Sequence, residues 1–115
     1  MREFLKKRIL VLPVIDASLP QKGLIADLGC GEGLVSWHLS KQPSRQIIGI
    51  DLNAKKLQIA NLKHQKNLQF KQANIVSVKF PQKLSGIVIA DVLHHLSPKH
   101  QHQLLTNCHK NLRSG

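Results

Sequence analysis

Residues 24–33 read Leu24-Ile25-Ala26-Asp27-Leu28-Gly29-Cys30-Gly31-Glu32-Gly33. Leu24–Leu28 is an apolar run broken only by Asp27, which predicts a buried strand. The three glycines at alternate positions then let the backbone turn tightly and let a ligand approach without a Cβ in the way. Beyond the loop, residues 34–41 predict a helix carrying Val35, Trp37, His38 and Leu39, broken by Pro43 and Ser44. Residues 46–51 (QIIGID) form a second buried strand. Asn53 is a good N-cap for a helix running to about Lys66, with Leu57, Ala60 and His64 along one face. Residues 68–71 predict a short third strand, and residues 86–91 (GIVIAD) a fourth. Ser97 followed by Pro98 starts a last helix, buried through Leu104, Leu105, Cys108 and Leu112.

Four apolar strands separated by helices predict an α/β fold. Its sheet is parallel, its crossovers right-handed, and helices lie on both faces. Ligands of such sheets bind beyond the carboxyl ends of the strands. Asp27, Asp51, Asn74 and Asp91 gather there. Of the chain's 6 acids, three close a strand and Glu32 lies in the glycine loop.

At 115 residues the chain has room for one domain and one core. Residues 23–115 form that domain. Residues 1–22 are a lead-in, with Phe4, Leu5, Ile9 and Leu12 at near-helical spacing and Lys6 and Lys7 facing away, so an amphipathic helix ends near Pro13. Arg2, Lys6, Lys7 and Arg8 before the apolar run of residues 9–15 suggest a signal peptide. Pro13 and Asp16 interrupt that run, and no small-residue cleavage site follows. No apolar run approaches the roughly 18–20 residues that cross a bilayer. Cys30 and Cys108 are too few for a disulfide scaffold, which suits a reducing, cytoplasmic setting. A net charge of +11 would suit nucleic acid or an anionic membrane surface, without choosing between them.

The loop spacing is G-x-G-x-G rather than the G-x-G-x-x-G of dinucleotide sites, and Asp27 stands two residues before its first glycine. An acid there is awkward for a pyrophosphate and suits a cationic ligand, which disfavours a nicotinamide cofactor. Asp51 lies 22 residues after Gly29, near the spacing of an acid that accepts from ribose hydroxyls.

Three segments, DLGCGEG at 27–33, IIGIDLNAKKLQIA at 47–60 and IADVLHHLSP at 89–98, together resemble the class I S-adenosylmethionine-dependent methyltransferases. The resemblance runs from about residue 23 to 115. It implies a three-layer Rossmann-like fold with strand order 3-2-1-4 over the part present, and S-adenosyl-L-methionine as cofactor. It further implies that the backbone of Gly29, Cys30, Gly31 and Gly33 packs on the methionine and ribose portions, with Asp27 near the sulfonium. Asp51 would hold the ribose hydroxyls and Leu52 would lie beside the adenine, while Ala90 and Asp91 would line the methionine end. One departure stands out in Gln72-Ala73-Asn74-Ile75. Where the family commonly has an acid that accepts from the adenine amino group, this chain has Asn74, whose amide oxygen can still accept but without charge.

Methyl transfer from a sulfonium is an in-line displacement, so the protein's main task is alignment. A base is needed only where the acceptor must lose a proton, and His94 and His95 are the candidates. Helix capping or packing on the ligand accounts for either His more simply. No metal spacing is present, since His100 and His102 read as a solvated helix face. Cys30 reads as a small loop-filling residue, with no His placed by sequence to activate it.

After Asp91 the chain reads Val92-Leu93-His94, not the Pro-Pro-aromatic run that the resemblance associates with methylation of base amino groups. A small-molecule, quinone-like or lipid acceptor is the reading this favours. Residues 55–83 hold seven Lys and no acid. A solvated face explains them more simply than an RNA track, and few aromatics are available for base stacking. An RNA-directed or RNA-binding module, and a non-catalytic cofactor-binding fragment, are the alternatives. The family's sheet has seven strands, and this chain supplies counterparts of the first four. The resemblance therefore implies a truncated product, or self-association or a partner covering the free edge of the fourth strand.

Overall fold

The computed structural model describes residues 15–89 and 95–113. The expected helix through Phe4, Leu5, Ile9 and Leu12, and the residues Ala90, Asp91 and His94, lie outside the described residues. In chain order the elements are β1 (Gly23–Leu28), α1 (Leu34–Leu39), β2 (Arg45–Asp51), α2 (Ala54–Ala60), β3 (Leu68–Gln72), β4 (Gly86–Val88) and α3 (Pro98–Asn111). All pairings are parallel, and the sheet order is β3-β2-β1-β4, as the sequence predicts.

Alternation along the strands sorts the core into two layers. Leu24, Ala26 and Leu28 of β1 join Ile48 and Ile50 of β2 on one face, closed by Leu104 and Cys108 of α3 and by Ile75 and Val78. Ile25 and Ile47 point the opposite way, against Val35 and Leu39 of α1. Asp27 and Gly49 share that second face by the same parity, which brings Asp27 under α1.

Several boundaries differ from those expected, each for a local reason. Helix α2 stops at Ala60 rather than near Lys66, since Leu62 and His64 have no core to face and are exposed. The chain straightens instead toward Asn67, whose buried Nδ2 donates to the carbonyls of Ser40, Gln42 and Arg45. Strand β4 ends at Val88, where residues up to 91 were expected. Its ladder partner β1 leaves the sheet there, because the N–H groups of Gly29 and Cys30 both donate to Ile50 O of β2, at 2.7 and 3.0 Å. In α3 the buried stripe is Leu104 and Cys108, while Leu105 is 51% and Leu112 37% exposed. In α1 it is Ser36 that is buried beside Val35 and Leu39, and Trp37 is half-buried.

The amino ends of the strands are tied by a buried cation that composition gave no reason to expect. Arg45 is 2% exposed. Its guanidinium pairs with Asp16 and donates to the carbonyls of Pro20 (2.8 Å), Asp16 (2.9 Å) and Leu39 (3.3 Å). This fastens the helical turn at residues 15–18 beneath β2, and leaves the carboxyl ends free to build a site.

Candidate functional site at the carboxyl ends of the strands

Asp51 organises the glycine loop. It closes β2, and its Oδ2 accepts from Gly31 N–H at 2.8 Å while Oδ1 accepts from Asn53 N–H at 2.8 Å. One carboxylate thus fixes the middle of the loop and the residue that caps α2. Asn53 completes the cap, its side chain accepting from Lys56 N–H at 3.1 Å. Each oxygen of Asp51 keeps a further lone pair directed to the half-exposed side of the residue.

Asp27 is placed otherwise. It is 1% exposed, and its Oδ2 accepts from Ser36 Oγ at 2.7 Å. The carboxylate lies between β1 and α1, below the loop rather than in its mouth, and places negative charge beneath the glycines. Gly33 has φ +87°, in the left-handed region that favours glycine. A Cβ there would lie 2.7 Å from Phe70 Cζ and 3.0 Å from Ala60 Cβ. Gly33 is therefore a packing position between α1, α2 and β3. Cys30 is buried, and burial, followed by the Asp27 and Asp51 carboxylates, pushes its thiol far above the ordinary range. It stays protonated and is no nucleophile.

A cleft of about 190 Å³ opens beside the loop. Gly29, Asp51, Leu52, Asn74, Ile75 and His95 line it, and so come together from four separate segments of the chain. Gly31 borders them through its bond to Asp51, whereas Asp27, Cys30 and Gly33 lie behind the loop. Val76 and Leu96 complete the wall and were not picked out in sequence. Their signals were an apolar residue beside Ile75, and an apolar residue just before the Ser97 cap, where a hydrophobic staple belongs. Leu52 stands 61% exposed at the rim, its carbonyl held by Gln72 Nε2 at 3.0 Å.

Asn74 forms a tight turn of its own. Its Oδ1 accepts from Val76 N–H at 2.9 Å, and its backbone carbonyl accepts from Val78 N–H, also at 2.9 Å. A second cavity, about 340 Å³, lies outside β3 among Lys63, His64, Lys66 and Leu68. It is the larger of the two but holds no carboxylate and no glycine-loop residue, so its size does not locate the chemistry.

Fit to a sulfonium nucleoside can be judged from these residues. Apolar walls from Leu52, Ile75, Val76 and Leu96 suit a planar base, and Asp51 offers acceptor lone pairs to hydroxyl groups. The loop passes over a buried negative charge at Asp27, complementary to a cation. The nucleoside end therefore fits. Among the described residues no group of three His, Cys, Asp or Glu could hold a metal, and no helix is long and apolar enough to cross a membrane.

Comparison with known proteins agrees with this geometry. The family profile described as "Methyltransferase domain" matches residues 25–115. The Bacillus subtilis (strain 168) protein YqeM, which carries a methyltransferase name, is 45% identical over 49 residues, 43% of this chain and 19% of that protein. A TehB-like SAM-dependent methyltransferase from Corynebacterium glutamicum superposes with a TM-score of 0.75 at 22% identity, over 96% of this chain and 66% of that one. PKMT2 from Rickettsia typhi, solved in complex with AdoHcy, gives 0.69 at 22% identity, over 83% of this chain and 20% of that one. The chain thus spans between 19% and 66% of the length of these relatives.

Proposed function

This chain belongs to the methyltransferase domain family, and from that premise we propose that it binds S-adenosylmethionine in the cleft beside Asp51 and supports methyl transfer to a small-molecule, quinone-like or lipid acceptor. The observation that carries the reading is Asp51: a carboxylate fastened by two backbone N–H groups, with free lone pairs turned toward an apolar cleft. Such an acceptor pair suits the two adjacent hydroxyls of a ribose, and a fixed carboxylate loses no side-chain entropy on binding them.

The donor, when bound, supplies a methyl group already activated by positive charge on sulfur. The residues of the chain hold and shield it. Leu52 and Ile75 flank the base, the loop at Gly29–Gly31 sets the ribose against Asp51, and Asp27 complements the cationic end through its field rather than by contact. The glycine loop and Asp51 would hold the donor so that its methyl could pass in line to the acceptor's lone pair, with the sulfur left as a neutral thioether. Where the acceptor carries a proton to lose, His95 on the rim takes it; His94 is the neighbouring candidate. Ala90 and Asp91 are the residues proposed for the methionine end.

Calorimetry with S-adenosylhomocysteine tests the binding. Micromolar affinity is expected, and no heat up to about 1 mM would overturn the proposal. Transfer of labelled methyl from S-adenosylmethionine into the organic-soluble fraction of a cell extract is the expected second result. Binding without transfer would favour a cofactor-binding module. Label in RNA, with a steep salt dependence of RNA affinity, would favour the nucleic-acid reading suggested by the seven lysines of residues 55–83.

A further inference from the structure

Helix α2 ends at Ala60 and β3 begins only at Leu68, so residues 61–67 cross between them as a loop. The strand it reaches is the outer one of the sheet. Leu68 and Phe70 point to the same face of that strand, and both stay half-buried. There lies the cavity of about 340 Å³, its apolar lining made by Leu68 and Phe70 and its polar lining by Lys63, His64 and Lys66 among others. The loop is pinned at both ends. Lys63 N–H donates to Ala60 O at 3.0 Å, and the side chain of Asn67 is held by three carbonyls. The hollow is therefore formed before anything enters it, which lowers the entropy lost on binding.

We infer that this cavity is a second binding site, separate from the cleft beside Asp51, for a small phosphomonoester with a flat apolar body. The charge is one-sided. No carboxylate lines the cavity, and the chain has no acid between residues 52 and 90. Among the described residues neither Lys63 nor Lys66 pairs with a carboxylate. Lys63 spends one N–H on Glu32 O at 3.0 Å, which fixes its ammonium and leaves two donors for an anion. Two ammoniums match a phosphomonoester, which carries about −1.5 to −2 charge at pH 7. Leu68 and Phe70 offer the apolar surface that inorganic phosphate alone would leave unused.

Size and shape favour a small molecule over an RNA strand. A bounded hollow of this volume takes one ligand of modest size. Single-stranded RNA asks for exposed rings on which successive bases stack. Phe70 is the one phenyl ring in the lining, and it is lodged where Cβ atoms on Gly33 and Gly49 would stand. No residue lines both this cavity and the cleft beside Asp51, so the two sites fill independently.

Calorimetry on the full chain tests this with 1-naphthyl phosphate, inorganic phosphate and 1-naphthol as probes. 1-Naphthyl phosphate should bind about tenfold more tightly than either of the others, with or without saturating S-adenosylhomocysteine. Lys66→Gln, at a side chain with no hydrogen bond to the rest of the described chain, should weaken it about three- to fivefold, and Lys63→Gln together with Lys66→Gln about tenfold or more. Lys110→Gln removes the same charge from α3, on the opposite face of the sheet, and should leave the affinity unchanged. No binding of 1-naphthyl phosphate up to about 5 mM would overturn the inference. Equal loss in Lys66→Gln and Lys110→Gln would overturn it in favour of diffuse attraction, the behaviour of an RNA track. Inorganic phosphate binding as tightly as 1-naphthyl phosphate would remove the apolar body from the reading, and displacement of the probe by S-adenosylhomocysteine would place it in the other cleft. Either result refutes the site as stated, while the proposal for the cleft beside Asp51 stands or falls on its own titration.

Discussion

Replacing Gly33 by alanine probes the contact on which the loop, two helices and β3 converge. Two costs add. At φ +87° an L-residue sits in the left-handed region, for which about 1 kcal/mol is the usual cost. The new Cβ would also lie 2.7 Å from Phe70 Cζ, 3.0 Å from Phe70 Cε1 and 3.0 Å from Ala60 Cβ. Neither neighbour yields easily. A Cβ placed on Gly49 would meet the same ring at 2.6 Å, so Phe70 is already held between two glycines. Overpacking of this kind costs about 1–3 kcal/mol, so the sum is about 2–4 kcal/mol. Against a total stability of about 5–15 kcal/mol this is large. With a urea slope of about 1.5–2 kcal/mol/M the midpoint should fall by about 1–2.7 M. Equilibrium urea unfolding followed by fluorescence of the lone Trp37, itself on α1, reads that shift directly. Repeating the substitution in a Phe70→Leu background separates the two costs. The ring atoms nearest the new Cβ are then gone, and the loss caused by Gly33→Ala should shrink by about 1–2 kcal/mol. A loss below about 0.5 kcal/mol in the first background, or equal losses in both, would refute the packing argument.

Arg45→Met should destabilise by about 3–5 kcal/mol in the same assay, because it leaves the Asp16 carboxylate and four carbonyls without their donor in a buried setting, whereas Asp16→Asn, altering a half-exposed partner, should cost about 1 kcal/mol. Cys30 has a thiol pKa raised by burial above the ordinary 9.0, so the folded chain holds that proton longer than the unfolded one. Stability from this thiol is whole below pH 9.0 and falls as pH rises beyond it; Cys30→Ala should flatten that alkaline decline in urea midpoints measured from pH 8 to 11. Asp51→Asn should weaken S-adenosylhomocysteine binding by about tenfold or more, because an amide presents only one oxygen to the two hydroxyls, and calorimetry checks it.

β1, β2 and β4 were legible as apolar runs ended by turn signals, while the shorter, more polar β3 was read from its place in the alternation and the sheet order came from the family resemblance. The gathering of Asp51, Leu52, Asn74 and Ile75 followed from that order, since residues just past parallel strands share one end. Contacts across the chain were not legible. Arg45 reads as one of 17 basic residues, and nothing local announces that the carbonyls of Asp16, Leu19, Pro20 and Leu39 converge on it from 6 to 29 positions away. Asn67 likewise reads as a loop residue until β3 is laid beside β2, when three carbonyls require a donor.

Both ends of the sheet obey one requirement, that backbone groups released where strands stop must find partners. At the amino ends Arg45 and Asn67 supply donors to released carbonyls and are consumed by the task. At the carboxyl ends Asp51 and Asn74 supply acceptors to released N–H groups of the loops, and the outcome differs with chemical type. A carboxylate serving two N–H groups still has charged lone pairs for a ligand, whereas an amide oxygen serving one keeps a single uncharged lone pair beside the amide donor. Residue type can be read along the chain, but the atoms a side chain has free become known only once the backbone has taken its share. Asn74 is the case in point: its Oδ1 already accepts from Val76 N–H where the chain lines the cleft.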